Sequence, residues 1–383
     1  MESIYIHGGI ALQGQVGIQG SKNAVLPALA ATILTEGTNR INNCPVLSDV
    51  YHMQTLLKSL GCGIVKDQKT LKINTDNVDI VHALGGLPKD ATQGMRSSIM
   101  LLGALLGRWG EASMVYPGGC VIGKRPIDLH LTALRQMSVD IAEQEQMFTA
   151  RADSLRGMDY RLPFPSVGAT ENILLAAVLA EGDTYLTNAA REPEIEALCG
   201  FLKAAGAKIK GEGSNRLVIR GVKQLHEVSY RIPEDRIVAG TYLMAVLAAG
   251  GEIFLEKAPA NQMETVLKIA REMGSSIQVK PEGIQVCVRK SLQACPYIKT
   301  DVYDGFPTDL QSPMMVALAV ARGESCIEER IFEDRFRIIE DLKKMGADIH
   351  AAGSSARIHG VDRLKGAEVA AQELRGGAAL VVA

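Results

Sequence analysis

The 383 residues carry a net charge of −2, with 47% hydrophobic and 22% charged side chains. This is the balance of a globular chain of two or three domains, and it excludes a nucleic-acid binder that relies on bulk positive charge. Seven cysteines form no CxxC pair, no His pattern completes a zinc site, the N-terminus is no signal peptide, and no apolar run is long enough to span a membrane; a reducing, cytosolic setting is expected.

In chain order the dominant feature is a repeat. An apolar helical segment ending at a glycine recurs as AVLPALAATILTEG to Gly37, IMLLGALLGRWG to Gly110, ILLAAVLAEG to Gly182, YLMAVLAAGG to Gly251 and MMVALAVARG to Gly323. A short β-like segment follows each, then an amphipathic second helix and a charged β-like pair: LLKSLGCGI, FLKAAGAKI, IAREMGSSI, DLKKMGADI. A glycine at the end of the second helix suits a left-handed C-terminus, and GEGSNRLVI and AAGSSARI read as hairpins. The predicted unit is helix, strand, helix, hairpin, about 70 residues long. Its first helix is apolar nearly all round, so copies must pack together to bury it.

Two copies depart from the pattern. From the first glycine to the end of the second helix takes 23 or 24 residues in four units but 28 in the second, Gly110 to Ser138. The extra length is Tyr116-Pro-Gly-Gly-Cys-Val-Ile-Gly-Lys-Arg-Pro-Ile-Asp-Leu-His130. A loop lengthened in one copy is a candidate for function. Cys120 lies there beside Lys124 and Arg125, where a thiol ionises more easily and the thiolate is the reactive form; Pro126 marks a helix start. The other departure is the sixth unit, which opens near Gly366 and stops at Ala383 inside its apolar helix; a truncated last unit is expected.

Two further positions have readings of equal weight on residues alone. Lys22 follows Gly20-Ser21 at a helix start that suits a phosphate, or is a solvated lysine after a plain N-cap. Asp309, in Phe306-Pro-Thr-Asp309, precedes an apolar helix and is either a base or an N-cap.

The ordered motifs GSKNAVLPALAA (20–31), GMRSSIMLLG (94–103), PGGCVIGKRPIDLH (117–130), SVGATENILLAA (166–177), NAAREPEI (188–195), PEDRIVAGTYL (233–243), FPTDLQ (306–311) and IFEDRF (331–336) span the chain. On them it resembles the UDP-N-acetylglucosamine 1-carboxyvinyltransferases, the MurA family of enolpyruvyl transferases. The sister family of the shikimate pathway fits less well, because its glycine-rich NAGTA segment is not found. The resemblance implies a two-lobed inside-out α/β barrel of six repeats, with lobes of residues 22–233 and of 1–21 plus 234–383 and the site in the cleft.

It further implies transfer of the enolpyruvyl group of phosphoenolpyruvate to the 3′-hydroxyl of UDP-N-acetylglucosamine with release of phosphate, the first committed step of peptidoglycan synthesis. Both partners are small molecules; no cofactor, metal, nucleic acid or membrane is implied. By the same match Lys22, Asn23, Arg125 and Arg335 contact phosphoenolpyruvate. Arg96 lies on the UDP-sugar side, and Ile331 contacts the sugar. Pro126, Ile127, Asp128 and Leu129 form the uridine-binding segment with Ser166, Val167 and Gly168. Asp309 is the base, and Cys120 is the proton donor, or serves product release, and is the target of fosfomycin. Arg236 and Arg375 fall in family motifs and read equally as interdomain salt bridges. The family's last unit carries an RGYE-like segment that this chain ends before, and the alternative reading is a truncated, non-catalytic UDP-sugar-binding paralogue.

Overall fold

The computed structural model describes residues 3–79, 81, 87–118 and 127–383. They fall into two compact units, one of residues 19–118 and 127–233, the other of residues 3–18 and 234–383.

The first unit holds three copies of the expected repeat. Its main helices are α1 (Lys22–Ala31), α2 (Ser48–Ser59), α3 (Met100–Trp109), α4 (Asp128–Gln136), α5 (Val167–Ala177) and α6 (Pro193–Ala204). Helices α1, α3 and α5, the apolar first helices, supply much of the core. The sheets lie outside them, and strands such as Thr70–Asn74 alternate buried and half-buried positions. Each repeat closes an antiparallel hairpin onto the strand after its first helix: Gly63–Asp67 and Thr70–Asn74 onto Thr38–Asn42, for example. Ser229–Arg231, the last strand of the unit, pairs in parallel with Thr38–Asn42. The end of the third repeat is thereby tied to the sheet of the first.

The second unit repeats the plan with α7 (Arg236–Ala249), α8 (Glu264–Glu272), α9 (Gln311–Ala319), α10 (Ile339–Lys344) and α11 (Leu374–Val382). Leu12–Gly17 joins the sheet of the fourth repeat, parallel to Gly251–Glu256. The sixth repeat is present as α11, whose Ala379 is fully buried in the core shared with α7 and α9.

The second-helix ends behave as the sequence predicts. Gly61, Gly206, Gly274 and Gly346 take φ between 89° and 106°, the left-handed conformation that a Cβ disfavours. In the second repeat Ser138 occupies the same position with φ 69°. In the first repeat the apolar helix runs shorter than its motif: α1 ends at Ala31, and Thr32–Leu34 forms a separate 3-10 turn before Gly37.

Gly103 shows why one first helix contains glycine. Its backbone N–H donates to Asn172 Oδ1 at 2.7 Å, and a Cβ there would overlap the Asn172 carbonyl oxygen. Helices α3 and α5 therefore meet backbone to backbone. Gly103→Ala is expected to cost about 1–3 kcal/mol from overpacking, read as a lower midpoint in denaturant; an unchanged midpoint would mean that α3 can shift at no cost.

The same core buries a carboxyl. Glu171, in α5, is pushed well above the ordinary carboxylate range, first by burial and then by the nearby charges of Glu194 and Glu192. Its carboxyl therefore keeps its proton to higher pH in the folded chain than in the unfolded chain. A raised folded value means that stability is fully present below the ordinary Glu value of about 4.3 and is lost as pH rises through the folded value. Glu171→Gln removes this dependence at nearly constant volume. The variant is expected to melt a few degrees above the parent at pH 8, on the order of 2–4 °C per kcal/mol, with the gap closing toward pH 5. Equal gaps at both pH values would count against a neutral Glu171.

Candidate active site

In the first unit, Lys22 is the first residue of α1, with the Ser21 hydroxyl accepting from Ala24 N as the cap. Lys22 Nζ sits 3.1 Å from Asp49 Oδ2, both side chains about three-quarters covered. The lysine is thus held by a carboxylate on α2, which sets aside the plain solvated lysine. Asn23 follows it on α1. The preceding turn is closely packed: a Cβ on Gly20 would overlap the Asn43 carbonyl oxygen. Asn43 Nδ2 in turn donates to Ile232 O at 2.9 Å, and Ser21 N donates to Pro233 O at 2.8 Å.

Arg96 opens the 3-10 turn Arg96–Ile99, and its Nη1 lies 3.5 Å from Pro117 O, at the far limit of a hydrogen bond. Ser98 Oγ ties this turn down by donating to Thr92 O and Met95 O at 2.9 and 2.8 Å. Cys120, Arg125 and Pro126 lie outside the described residues.

The structure brings two of the predicted segments together. Ile127 is the buried residue before α4, and Asp128 and Leu129 are its first two residues. Ser166 caps α5, its Oγ accepting from Ala169 N at 3.3 Å, and Val167 and Gly168 begin that helix. The link is His130: a Cβ on Gly168 would meet its Cε1 at 3.0 Å and Nε2 at 3.2 Å. Asn172 orients the ring. Its Oδ1 accepts from Gly103 N, so Nδ2 faces His130 Nδ1 at 2.8 Å and donates to it. In the neutral ring this puts the proton on Nε2, toward Gly168. Two helix N-termini then lie side by side, each presenting the N–H groups that favour an anion.

In the second unit, Asp309 is not a helix cap. It sits in the 3-10 turn Thr308–Leu310 ahead of α9, and its two carboxylate oxygens take two different arginines. Arg335 Nη2 donates to Oδ1 at 2.7 Å and Arg375 Nη2 donates to Oδ2 at 2.8 Å. Arg335 is 3% exposed at its side chain, against 22% for Asp309. Its guanidinium lies 5.2 Å from the Phe332 ring centroid, and its Nη1 is 3.7 Å from Glu373 Oε2. Glu373 also caps α11, accepting from Arg375 N at 2.8 Å and from Gly376 N. Burial alone would lower the Arg375 value; the charges of Asp309, Asp235 and Glu373, with the bond to Asp309, outweigh it and hold the guanidinium charged. Those carboxylates all belong to the same unit, so for Arg375 the interdomain salt bridge gives way to an ion pair with Asp309. Arg236 starts α7, 5.3 Å from the Tyr303 ring centroid, behind the Asp235 cap. Ile331 donates its N–H to Glu329 Oε1 at 2.8 Å.

Two arginines flanking one carboxylate, with a second carboxylate behind, make a nearly neutral, largely covered cluster. A profile described as EPSP synthase (3-phosphoshikimate 1-carboxyvinyltransferase) matches residues 6–383. The chain belongs to the EPSP synthase family. Among its relatives, a protein of Caldanaerobacter subterraneus named UDP-N-acetylglucosamine 1-carboxyvinyltransferase 2 is 44% identical over 383 residues, covering all of this chain and 91% of the relative. The UDP-N-acetylglucosamine 1-carboxyvinyltransferase of Methylacidiphilum infernorum is 43% identical, with 100% and 90% covered. The fold is shared with the crystal structure of the enolpyruvyl transferase NikO from Streptomyces tendae, at TM-score 0.85 and 22% identity, covering 98% of this chain and 89% of that one. EPSP synthase from Acinetobacter baumannii matches at TM-score 0.67 and 21% identity, with 92% and 83% covered. The α/β repeat fold is that of the enolpyruvyl transferases, and the relatives are named as enzymes. The expected truncation gains no support from the two named relatives, which match the whole of this chain, and nothing among the matches favours a non-catalytic binder.

Several members of the site were not read from the sequence. Asp49 and His130 are placed by tertiary contacts alone. Glu373 carried a local signal, an acidic residue at the start of an apolar helix. Among the described residues no group of His, Cys, Asp and Glu is arranged to hold a metal, and no helix is long and apolar enough to cross a membrane.

Proposed function

We propose that this chain transfers the enolpyruvyl group of phosphoenolpyruvate to the 3′-hydroxyl of UDP-N-acetylglucosamine, releasing phosphate. The observation that carries the reading is Asp309 held between Arg335 and Arg375 in a member of this family. The reaction adds the hydroxyl across the alkene and then eliminates phosphate. Asp309 takes the hydroxyl proton as the oxygen bonds to C2 of phosphoenolpyruvate, and an acid, Cys120 in this reading, gives a proton to the methylene carbon. Loss of a proton from the new methyl group then expels phosphate and restores the alkene.

The remaining roles follow the charges. Lys22, Asn23, Arg125 and Arg335 hold phosphate and carboxylate of phosphoenolpyruvate, the arginine forks matching either anion. The helix starts at Ile127–Leu129 and Ser166–Gly168, with Pro126 and Arg96, hold the sugar nucleotide; Ile331 meets the sugar. Residues 22–233 form the lobe that bears Lys22 and Cys120, and residues 1–21 with 234–383 the lobe that bears Asp309. The reaction would run in the cytoplasm as the committed step of cell-wall synthesis, and alkylation of Cys120 by fosfomycin would block it.

The test is phosphate release from the two substrates by the purified chain, with Asp309→Asn as control. Release that depends on UDP-N-acetylglucosamine and collapses in the control is expected. Binding of the sugar nucleotide with no release from either protein would overturn the proposal.

A further inference from the structure

Glu329 is the strongest buried acid left without a role. It is 4% exposed and stands directly after the strand Glu324–Glu328, with its own N–H bonded to Ser354 O at 2.8 Å. Its backbone is therefore fixed to the sheet. Its carboxylate reaches two separate segments. Oε1 accepts from Ile331 N at 2.8 Å and Phe332 N at 3.1 Å. Oε2 accepts from Thr308 Oγ1 at 3.0 Å.

Those segments are the ones that carry the cluster around Asp309. Thr308 adjoins Asp309 in one 3-10 turn. Ile331 and Phe332 begin the loop that leads to Arg335, whose guanidinium lies over the Phe332 ring. The Asp309–Arg335 bond at 2.7 Å joins the segments at their tips, and Glu329 joins them at their roots. A turn pinned through Thr308 keeps the direction of Asp309 when an arginine shifts toward substrate. Geometry of this kind matters because a misplacement of about 1 Å costs on the order of a hundredfold in rate.

We propose that Glu329 is a positioning residue for the transfer reaction, setting the Asp309 turn and the Ile331–Arg335 loop in register. The inference rests on the reading of Asp309 and Arg335 given above. A carboxylate is not itself required. A glutamine in its place can accept from the two backbone N–H groups through its carbonyl and donate to Thr308 Oγ1 through its amide, whereas alanine leaves all three donors without a partner.

The experiment compares Glu329→Ala, Glu329→Gln and Thr308→Val with the parent chain in phosphate release and in amide hydrogen exchange of peptides covering 306–311 and 329–336. Glu329→Ala is expected to lower kcat by about ten- to a hundredfold and to speed exchange in both peptides. Glu329→Gln should stay within a few-fold of the parent in both readouts. Thr308→Val cuts only the link to the Asp309 turn, and should lower kcat and loosen 306–311 while sparing 329–336. Should the alanine variant not fold, Thr308→Val against Glu329→Gln decides. The inference is overturned if Thr308→Val exchanges and turns over as the parent does, or if Glu329→Gln is as impaired as Glu329→Ala. A parent chain that releases no phosphate counts against the proposed function instead, and the exchange pattern still tests the link.

Discussion

Asp309→Asn is expected to lower phosphate release by about 10²–10⁴-fold, the usual share of a general base, while the chain stays folded. The substitution is nearly isosteric. Asparagine keeps one oxygen for one guanidinium but turns an NH2 toward the other, where the native structure has bonds at 2.7 and 2.8 Å from two arginines. One donor then faces another donor, and Arg335 and Arg375 are left with Glu373 and Asp235 as the acids of the cluster. A modest loss of stability follows, about 1–3 kcal/mol for a buried donor without a partner. The loss of rate has a different origin: an amide does not take a proton from the sugar hydroxyl. The two effects separate in one experiment. Turnover at saturating substrates reports the base, and the thermal midpoint reports the cluster. A variant that keeps more than about a tenth of parental turnover would remove Asp309 from the role of base and leave it as an arginine clamp.

The repeat was legible because each copy writes the same physics into its sequence. An all-round apolar helix is readable as buried, and the second-helix glycines are readable as left-handed; Gly61, Gly206, Gly274 and Gly346 are so. Ser138 was legible as the matching position only through its place in the repeat, since serine carries no such signal. The helix start at Lys22, with Ser21 as its cap, was legible. What joins residues to their partners was not. Lys22 meets Asp49, Gly168 meets His130, and Asp309 meets Arg375 from 66 residues away, because packing of separate elements sets those distances and no local pattern encodes them. For Asp309 the residues left base and cap in balance. Geometry removed the cap, since the carboxylate is taken up by two guanidiniums and α9 begins without it. The roles of Cys120, Arg125 and Pro126 come from the family resemblance alone.

Arg335 is the second residue whose removal should have a large effect, and Arg335→Met and Arg335→Lys should differ in kind. The native guanidinium uses its fork: Nη2 on Asp309 at 2.7 Å and Nη1 at 3.7 Å from Glu373. The group is buried and lies over Phe332, so the planar head packs as well as bonds. Methionine fills the volume but takes one guanidinium from Asp309 and removes the charge of Arg335 from beside Glu373. Breaking a buried pair from one side costs about 3–5 kcal/mol. The remaining Arg375 and the partial exposure of Asp309 reduce that, so about 2–3 kcal/mol is expected, or roughly 4–12 °C in melting temperature. Lysine keeps the charge, and its single ammonium reaches one carboxylate and does not stack. Its stability should fall less than that of methionine, yet kcat/KM for phosphoenolpyruvate should drop by about ten- to a hundredfold, the equivalent of one charge-assisted hydrogen bond. If Arg335 served only to hold the fold, activity would track stability across the two variants and lysine would be the more active in proportion. A lysine variant that is nearly as stable as the parent but as slow as methionine would instead place the forked geometry itself in the reaction. Equal melting temperatures and equal kcat/KM in all three proteins would show that Arg375 alone holds Asp309.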